Sequence, residues 1–528
     1  MARPGFVLEV DDRTPALLVP DGPRVRLERF PLGTEVLYPA EPLPAVGDLV
    51  AAIDAALAAP AESRPLADQL RPGMRLTIVF DSVTAAPALR TPDVRGRIIE
   101  RVLVQAAAAG VDDVQLICAT GLNRRNTQGE LRQLLGERVF RSFYADGNLT
   151  NHDALDRDRL TVLRPAGQGQ PASQPEGRPD DQYEIAVNSR LAESDLVVAV
   201  HLAHDIGQGG LTGSGLGMLS TGLTSLETIR AVRGYGAPQG RIDEIGAAIT
   251  EAVPVFAVEA VLDNNSYPPA LDFLATREWE WTLKSQAKLL ALRGATALPS
   301  RYSLLINDRL ESGYRVTAVN AGAPAPVAAA GRARVLEQQQ VEVSGQADVL
   351  VLGVPAVTPY SIGSVTDPVL AAWHALGVGY NSVTGEPLVR PGGAVIVYHP
   401  LAQEFSTLQH PATVDFFADV LPTTTDAAEL ADRFESKYAD DPWYSQLYRT
   451  SQAFHGLLPF HLWYQLAPAA EQAGDVIFVG ADRGSAARLG FRAASTLADA
   501  LEITSATVGR TPRIRYLHTP PALLGSVT

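Results

Sequence analysis

From Arg75 onward the chain alternates short apolar runs with helically spaced stretches. LTIVF (76–80) and VQLIC (114–118) are continuous apolar runs, and residues 94–109 between them repeat apolar positions at helical spacing, with Gly110 placed as a C-cap. Strands without polar alternation are buried on both faces, so this βαβ pattern predicts a parallel sheet. Thr127 with Glu130 three residues on forms a capping box, and the helix it opens is expected to stop at Gly136. The same reading gives a helix over 46–59, a turn at Asp21, Gly22 and Pro23, a strand over 195–200, helices from Ser225 and from Arg241, and a strand in VPVFAVEAVL (253–262). DNNSYPPA (263–270) breaks helix and strand alike and is taken as a linker. Beyond it YSLLI, YRVTAV, ADVLVLGV, GAVIVYH and DVIFVGA alternate with helical stretches at 367–376 and 486–501. The fold class expected is α/β: two domains, 1–265 and 266–528, each with a largely parallel sheet flanked by helices and a ligand cleft between them. The segment 164–182, rich in Pro, Gly and Gln, reads as an exposed excursion.

Composition narrows the function classes. With 528 residues, 46% hydrophobic and 20% charged, the chain is that of an ordinary globular protein. A formal charge of −15 supplies no basic footprint, so neither nucleic acid nor an acidic membrane surface is an expected partner. The one cysteine, Cys118, excludes an internal disulfide framework; with no run long enough to span a bilayer and no signal-like start, the expected location is cytoplasmic. Oligomeric state is not legible.

Candidate chemistry gathers at strand ends, where open parallel sheets bind ligands. Asp81 and Thr84 follow the first strand and either touch a ligand or cap a helix. Asn123 and Arg124 follow the second; an arginine there holds a carboxylate or phosphate, or lies at the surface. His152 with Asp153 reads as an acid/base pair or a turn cap. His201 and His204, three apart beside Asp205, read as a metal pair or as hydrogen-bonded core histidines. After them seven glycines fall between Gly207 and Gly222, among them Gly210 and Gly213, offering close backbone approach to an anion. The aromatic cluster Trp279, Trp281, Trp443, Tyr444, Phe460, Trp463 and Tyr464 reads as packing, and the remaining histidines form no ligand-spaced pattern.

Taken in order, DSVT (81–84), ATGLNRRNTQGEL (119–131), NHD (151–153), IAVNSRLAESDLVVAVH (185–201), GGLTGSGLGMLSTG (209–222), SLETI (225–229), RIDEI (241–245), ADVLVLGVP (347–355) and RPGGAVIVYHP (390–400) resemble the nickel-pincer lactate racemase family over most of the chain. The resemblance implies a two-domain α/β protein acting on a small 2-hydroxy acid or related organic acid. Its chemistry withdraws a hydride onto a nickel-bearing nucleotide and returns it to the other face, with histidines as bases and a lysine tethering the cofactor. His201 matches the histidine ending the family's strand, and Tyr360 matches a polar position of the second domain. The family's Gly-x-His-Arg is Gly121-Leu122-Asn123-Arg124 here, an amide in place of a base; a histidine after SLETI falls near Arg233; and the glycine loop contains no lysine. Two functions are therefore carried forward: a racemase- or epimerase-type isomerase with His201, His152 and Asn123 at its centre and Asp81, Thr84, Arg124, Gly210, Gly213, Arg233 and Tyr360 binding substrate or cofactor, or a catalytically degenerate binding protein for an organic acid or nucleotide.

Overall fold

The computed structural model describes residues 3–84, 93–166, 183–204, 215–238, 240–296, 313–381 and 386–528. Its frame is two sheets. The first runs Val316–Gly322, Val255–Leu262, Leu196–Ala203, Arg75–Asp81, Asp113–Ala119, Leu149–Asn151, all neighbours parallel except Val255–Leu262 with Val316–Gly322. Both faces are covered, as continuous apolar strands require. Leu76, Ile78, Phe80, Val198, Val200 and Val258 pack on the helices Val94–Ala108 and Gln128–Tyr144, and Val79, Ile117, Val197 and Ala199 pack on Met218, Leu219 and Ile245.

The second sheet runs Phe6–Glu9, Glu35–Tyr38, Ile514–Leu517, Ala347–Gly353, Val389–Tyr398, Asp475–Val479, Arg492–Ala494, parallel except for its first pair. The α/β class with largely parallel, helix-flanked sheets is as expected. Sheet membership does not follow the expected boundary at 265/266. Phe6–Glu9 and Glu35–Tyr38 join the second sheet, and YRVTAV supplies an edge strand to the first. A hydrogen-bonding edge recruits strands by geometry and not by sequence distance.

Several local expectations change in the same way. The expected linker is packed at its start: Asp263 and Asn264 are fully buried, Asp263 binds the Arg315 guanidinium at 3.1 Å, and Asn264 Nδ2 donates to the Ala40 carbonyl, whereas Pro269 and Ala270 are exposed. The capping box at Thr127 and Glu130 forms, and the helix it opens ends at Gly136, whose non-helical φ of 79° separates it from a second helical segment that runs to Tyr144. The stretch 486–501 divides into the helix Arg483–Arg488, the strand Arg492–Ala494 and the helix Leu497–Val508. YSLLI and most of the segment 164–182 lie outside the described residues.

Candidate functional site

At the carboxyl end of the first sheet, polar side chains interrupt the apolar strands in register. His201 lies opposite Glu259, Glu259 lies opposite Asn320, and Asp81 follows Phe80, the partner of Val200. His201 Nε2 and Glu259 Oε2 are 2.9 Å apart with both side chains buried, and Asn320 Nδ2 donates to Glu259 Oε1 at 3.1 Å. Burial opposes the imidazolium, but the hydrogen bond and charge of Glu259, with the nearby Asp81, outweigh it and raise the His201 pKa. Two glycines make room for the pair. A Cβ at Gly331 would fall 1.8 Å from Glu259 Oε1, and one at Gly215 would fall 2.7 Å from His201 Cε1. Asp81 accepts from the Leu202 backbone N–H at 2.8 Å, and its burial pushes the carboxyl pKa up although the His201 charge acts in the opposite sense.

Beside this row a cavity of about 80 Å³ opens between the two halves of the chain. From the first sheet and its loops come Asp81, Ser82, Thr84 and Asn123; from the helices Gly215–Gly222 and Leu226–Arg233 come Thr221 and Arg233; from the second half come Tyr360, Leu458 and His461. Ser82 and Thr84 hydroxyls bond each other at 2.5 Å. The Asn123 turn is fixed from both sides. Gly121, at φ +51°, lies so close to the end of the helix Gly215–Gly222 that a Cβ would sit 1.9 Å from the Thr221 carbonyl oxygen. From the second half, Tyr448 donates its hydroxyl to the Gly121 carbonyl at 2.6 Å, and the His455 N–H donates to Leu122. Arg233 donates to the Tyr360 hydroxyl at 3.2 Å, and no carboxylate pairs with this arginine among the described residues.

The sequence candidates thus divide. Asp81, Thr84, Asn123, Arg233 and Tyr360 meet at the cavity. Arg124 does not reach it, because its guanidinium forks onto Glu130 at 2.7 and 3.0 Å, joining the capping box. Nor does His152: its Nε2 binds the Thr224 carbonyl at 2.9 Å and its Nδ1 faces Asn188 Nδ2 at 3.2 Å, so the ring is buried, doubly bonded and held neutral, its pKa lowered to about 4 by desolvation. Asp153 accepts from the Leu155 N–H, the turn-cap alternative. His201 is bound to Glu259 in the sheet, and His204 sits edge-on to Tyr314 while Gln339 donates to its carbonyl. Among the described residues no group of three or more His, Cys, Asp or Glu side chains is arranged to hold a metal. Gly210 and Gly213 lie outside the described residues. Sequence reasoning missed Glu259, whose signal was a lone acid inside VFAVEAVL, and His461, a lone imidazole in an apolar helix.

Residues 31–231 match the family model described as the lactate racemase N-terminal domain. Over those residues the chain is similar to that family's N-terminal domain. The fold is similar to that of the lactate racemase apoprotein from Thermoanaerobacterium thermosaccharolyticum, which superposes with a TM-score of 0.62 at 14% identity, covering 97% of this chain and 99% of that one. A Thermotoga maritima protein solved by structural genomics is matched at 13% identity and a TM-score of 0.48, over 88% of this chain and 96% of that one. No curated protein matches. The cavity of this chain does not fit a lysine-tethered nickel nucleotide. The whole chain has three lysines: Lys284, Lys288 and Lys437. None lines the cavity; Lys284 and Lys437 are exposed, and Lys288 pairs with Asp272. The cavity's polar groups are one guanidinium, one imidazole, the Asp81 carboxyl, hydroxyls and an amide, with no thiolate for soft-metal ligation.

Proposed function

We propose that this protein is a binding protein for a small organic acid of the 2-hydroxy-acid kind, held in the cavity with its carboxylate on Arg233 and Tyr360. The observation that carries the proposal is the Arg233 guanidinium, half-buried at the cavity with a phenol hydroxyl as its partner and no acid to neutralise it. A planar guanidinium without a countercharge is a carboxylate receptor. The isomerase reading keeps the fold as its support. Against it, His152 and His201 are both committed to protein partners, and Asn123 cannot take a proton near neutral pH.

Native mass spectrometry of protein from its own host tests retention of an organic acid, and calorimetric titration with lactate tests the receptor. Arg233→Gln removes a charge-assisted contact worth about 1.5–3 kcal/mol, a roughly 10- to 150-fold loss of affinity. Arg124→Gln, whose arginine faces Glu130 instead, leaves affinity within about twofold. Equal affinity in the wild type and Arg233→Gln overturns the carboxylate assignment. Stoichiometric nickel with a nucleotide absorbance in the purified protein overturns the binding-protein reading.

A further inference from the structure

We propose that His461 is the specificity-determining residue of the cavity: its imidazole hydrogen-bonds a hydroxyl on the ligand, so that hydroxy acids are selected over acids lacking that group. The inference rests on the carboxylate reading of Arg233.

His461 lies in the first turns of the helix Leu458–Gln472, in a run, LPFHLWY, where the side chains from Leu458 to Tyr464 are all buried. It is 3% exposed, and its Nε2 has no hydrogen-bond partner among the described residues. A buried polar atom left unpaired costs about 1–3 kcal/mol, so such atoms call for a partner. Four other buried histidines, His201, His410, His455 and His518, each leave one ring nitrogen without a partner among the described residues, but His461 is the one that lines the cavity. Leu458, one turn earlier, lines it too and supplies an apolar wall.

The chemistry of the missing partner follows from its surroundings. Burial holds the imidazole neutral, and the charges of Arg233 and Arg230 and the neighbouring His455 act in the same direction, keeping its pKa well below the usual value. A neutral imidazole adds no second cation for the carboxylate. It offers one donor and one acceptor, and a hydroxyl matches either tautomer because it both donates and accepts. An ammonium group is a poorer match, since it only donates and so pairs with one tautomer of the ring alone. A methyl or methylene in its place leaves the nitrogen unpaired, the situation in which polar sites discriminate most strongly.

Calorimetric titration of the full-length wild type with lactate, propionate and alanine tests this, together with His461→Phe, His461→Gln and Arg233→Gln, each first checked for a native melting transition. The expected result is lactate bound at least about tenfold more tightly than propionate or alanine by the wild type. His461→Phe brings the lactate-to-propionate ratio to about one, and His461→Gln, which keeps a polar atom near the Nε2 position, recovers part of it. A wild-type ratio near one, or a ratio that survives in His461→Phe, overturns the proposal. Arg233→Gln reads the underlying site separately: it weakens lactate and propionate alike if the carboxylate reading holds. Failure of the wild type to bind either acid, or no effect of Arg233→Gln, removes that reading and the inference with it.

Discussion

Replacing Glu259 tests whether the buried pair at the end of the first sheet is ionic. Glu259→Gln keeps the shape that fits against Gly331 and one oxygen for Asn320, turns an amide N–H toward His201 Nε2, which a neutral ring can accept, and removes the charge that raises the His201 pKa. A hydrogen bond to a charged group contributes about 1.5–3 kcal/mol against about 0.5–1.5 for a neutral one, so the amide should cost about 1–1.5 kcal/mol. Glu259→Ala strands His201 altogether and should cost about 3–5 kcal/mol. Thermal unfolding is the assay. At roughly 2–4 °C per kcal/mol for a unit of 150–250 residues, Glu259→Gln lowers the midpoint by about 2–6 °C. The pH dependence has a definite sign. Because the folded His201 pKa lies above its unfolded value of 6.5, its contribution is fully present below pH 6.5 and fades as pH rises through the raised value. The gap between wild type and Glu259→Gln therefore narrows with rising pH. A gap that is absent at pH 6, or constant from pH 5.5 to 10, refutes the ionic pair.

Three further outcomes follow from the same geometry. Gly121→Ala combines an unfavourable φ of +51° with a Cβ 1.9 Å from the Thr221 carbonyl oxygen, and should lower stability by more than about 3 kcal/mol in urea unfolding; a near-neutral change would mean that the loop does not approach the helix. Tyr448→Phe loses the hydroxyl that donates to Gly121 and accepts from the Ala154 N–H, costing about 1–2 kcal/mol in melting and loosening the turn that carries Asn123, which is read as a weaker lactate affinity. Stability should fall as pH drops from 6.5 toward about 4, since His152, His410 and His455 are buried with folded pKa values of about 4 and His399 with one of about 3. Depressed histidines contribute fully above their unfolded pKa of 6.5, so denaturant midpoints that stay level over that range would contradict their burial as neutral rings.

The first sheet was legible because its strands are short, continuous and apolar, with polar residues at their ends. That pattern placed Asp81, Thr84 and Asn123 at one crevice, where they stand. Arg124 was misjudged for a physical reason: Glu130 was assigned wholly to its capping box, yet its carboxylate binds both the cap backbone and the arginine six residues earlier. The sheet exchange was not legible, because nothing local in Phe6–Glu9, Glu35–Tyr38 or Val316–Gly322 states which distant edge each will join.

Glu259 and His461 show what periodicity leaves out. Each is a single polar residue inside an otherwise buried element, and burial pattern alone treats it as noise in an apolar run. The sequence contains the charge of Glu259, but its meaning depends on cross-strand register: one residue of slip would turn it to the other face, away from His201. Glu259 is answered within the fold by His201 and Asn320, whereas His461 Nε2 finds no partner among the described residues and lies at the wall of a cavity. A buried polar group that the fold satisfies is structural, and one that it leaves unsatisfied beside an unneutralised arginine points to a ligand. On that criterion the functional weight of this chain shifts from the histidines at the strand ends to the Arg233, Tyr360 and His461 wall.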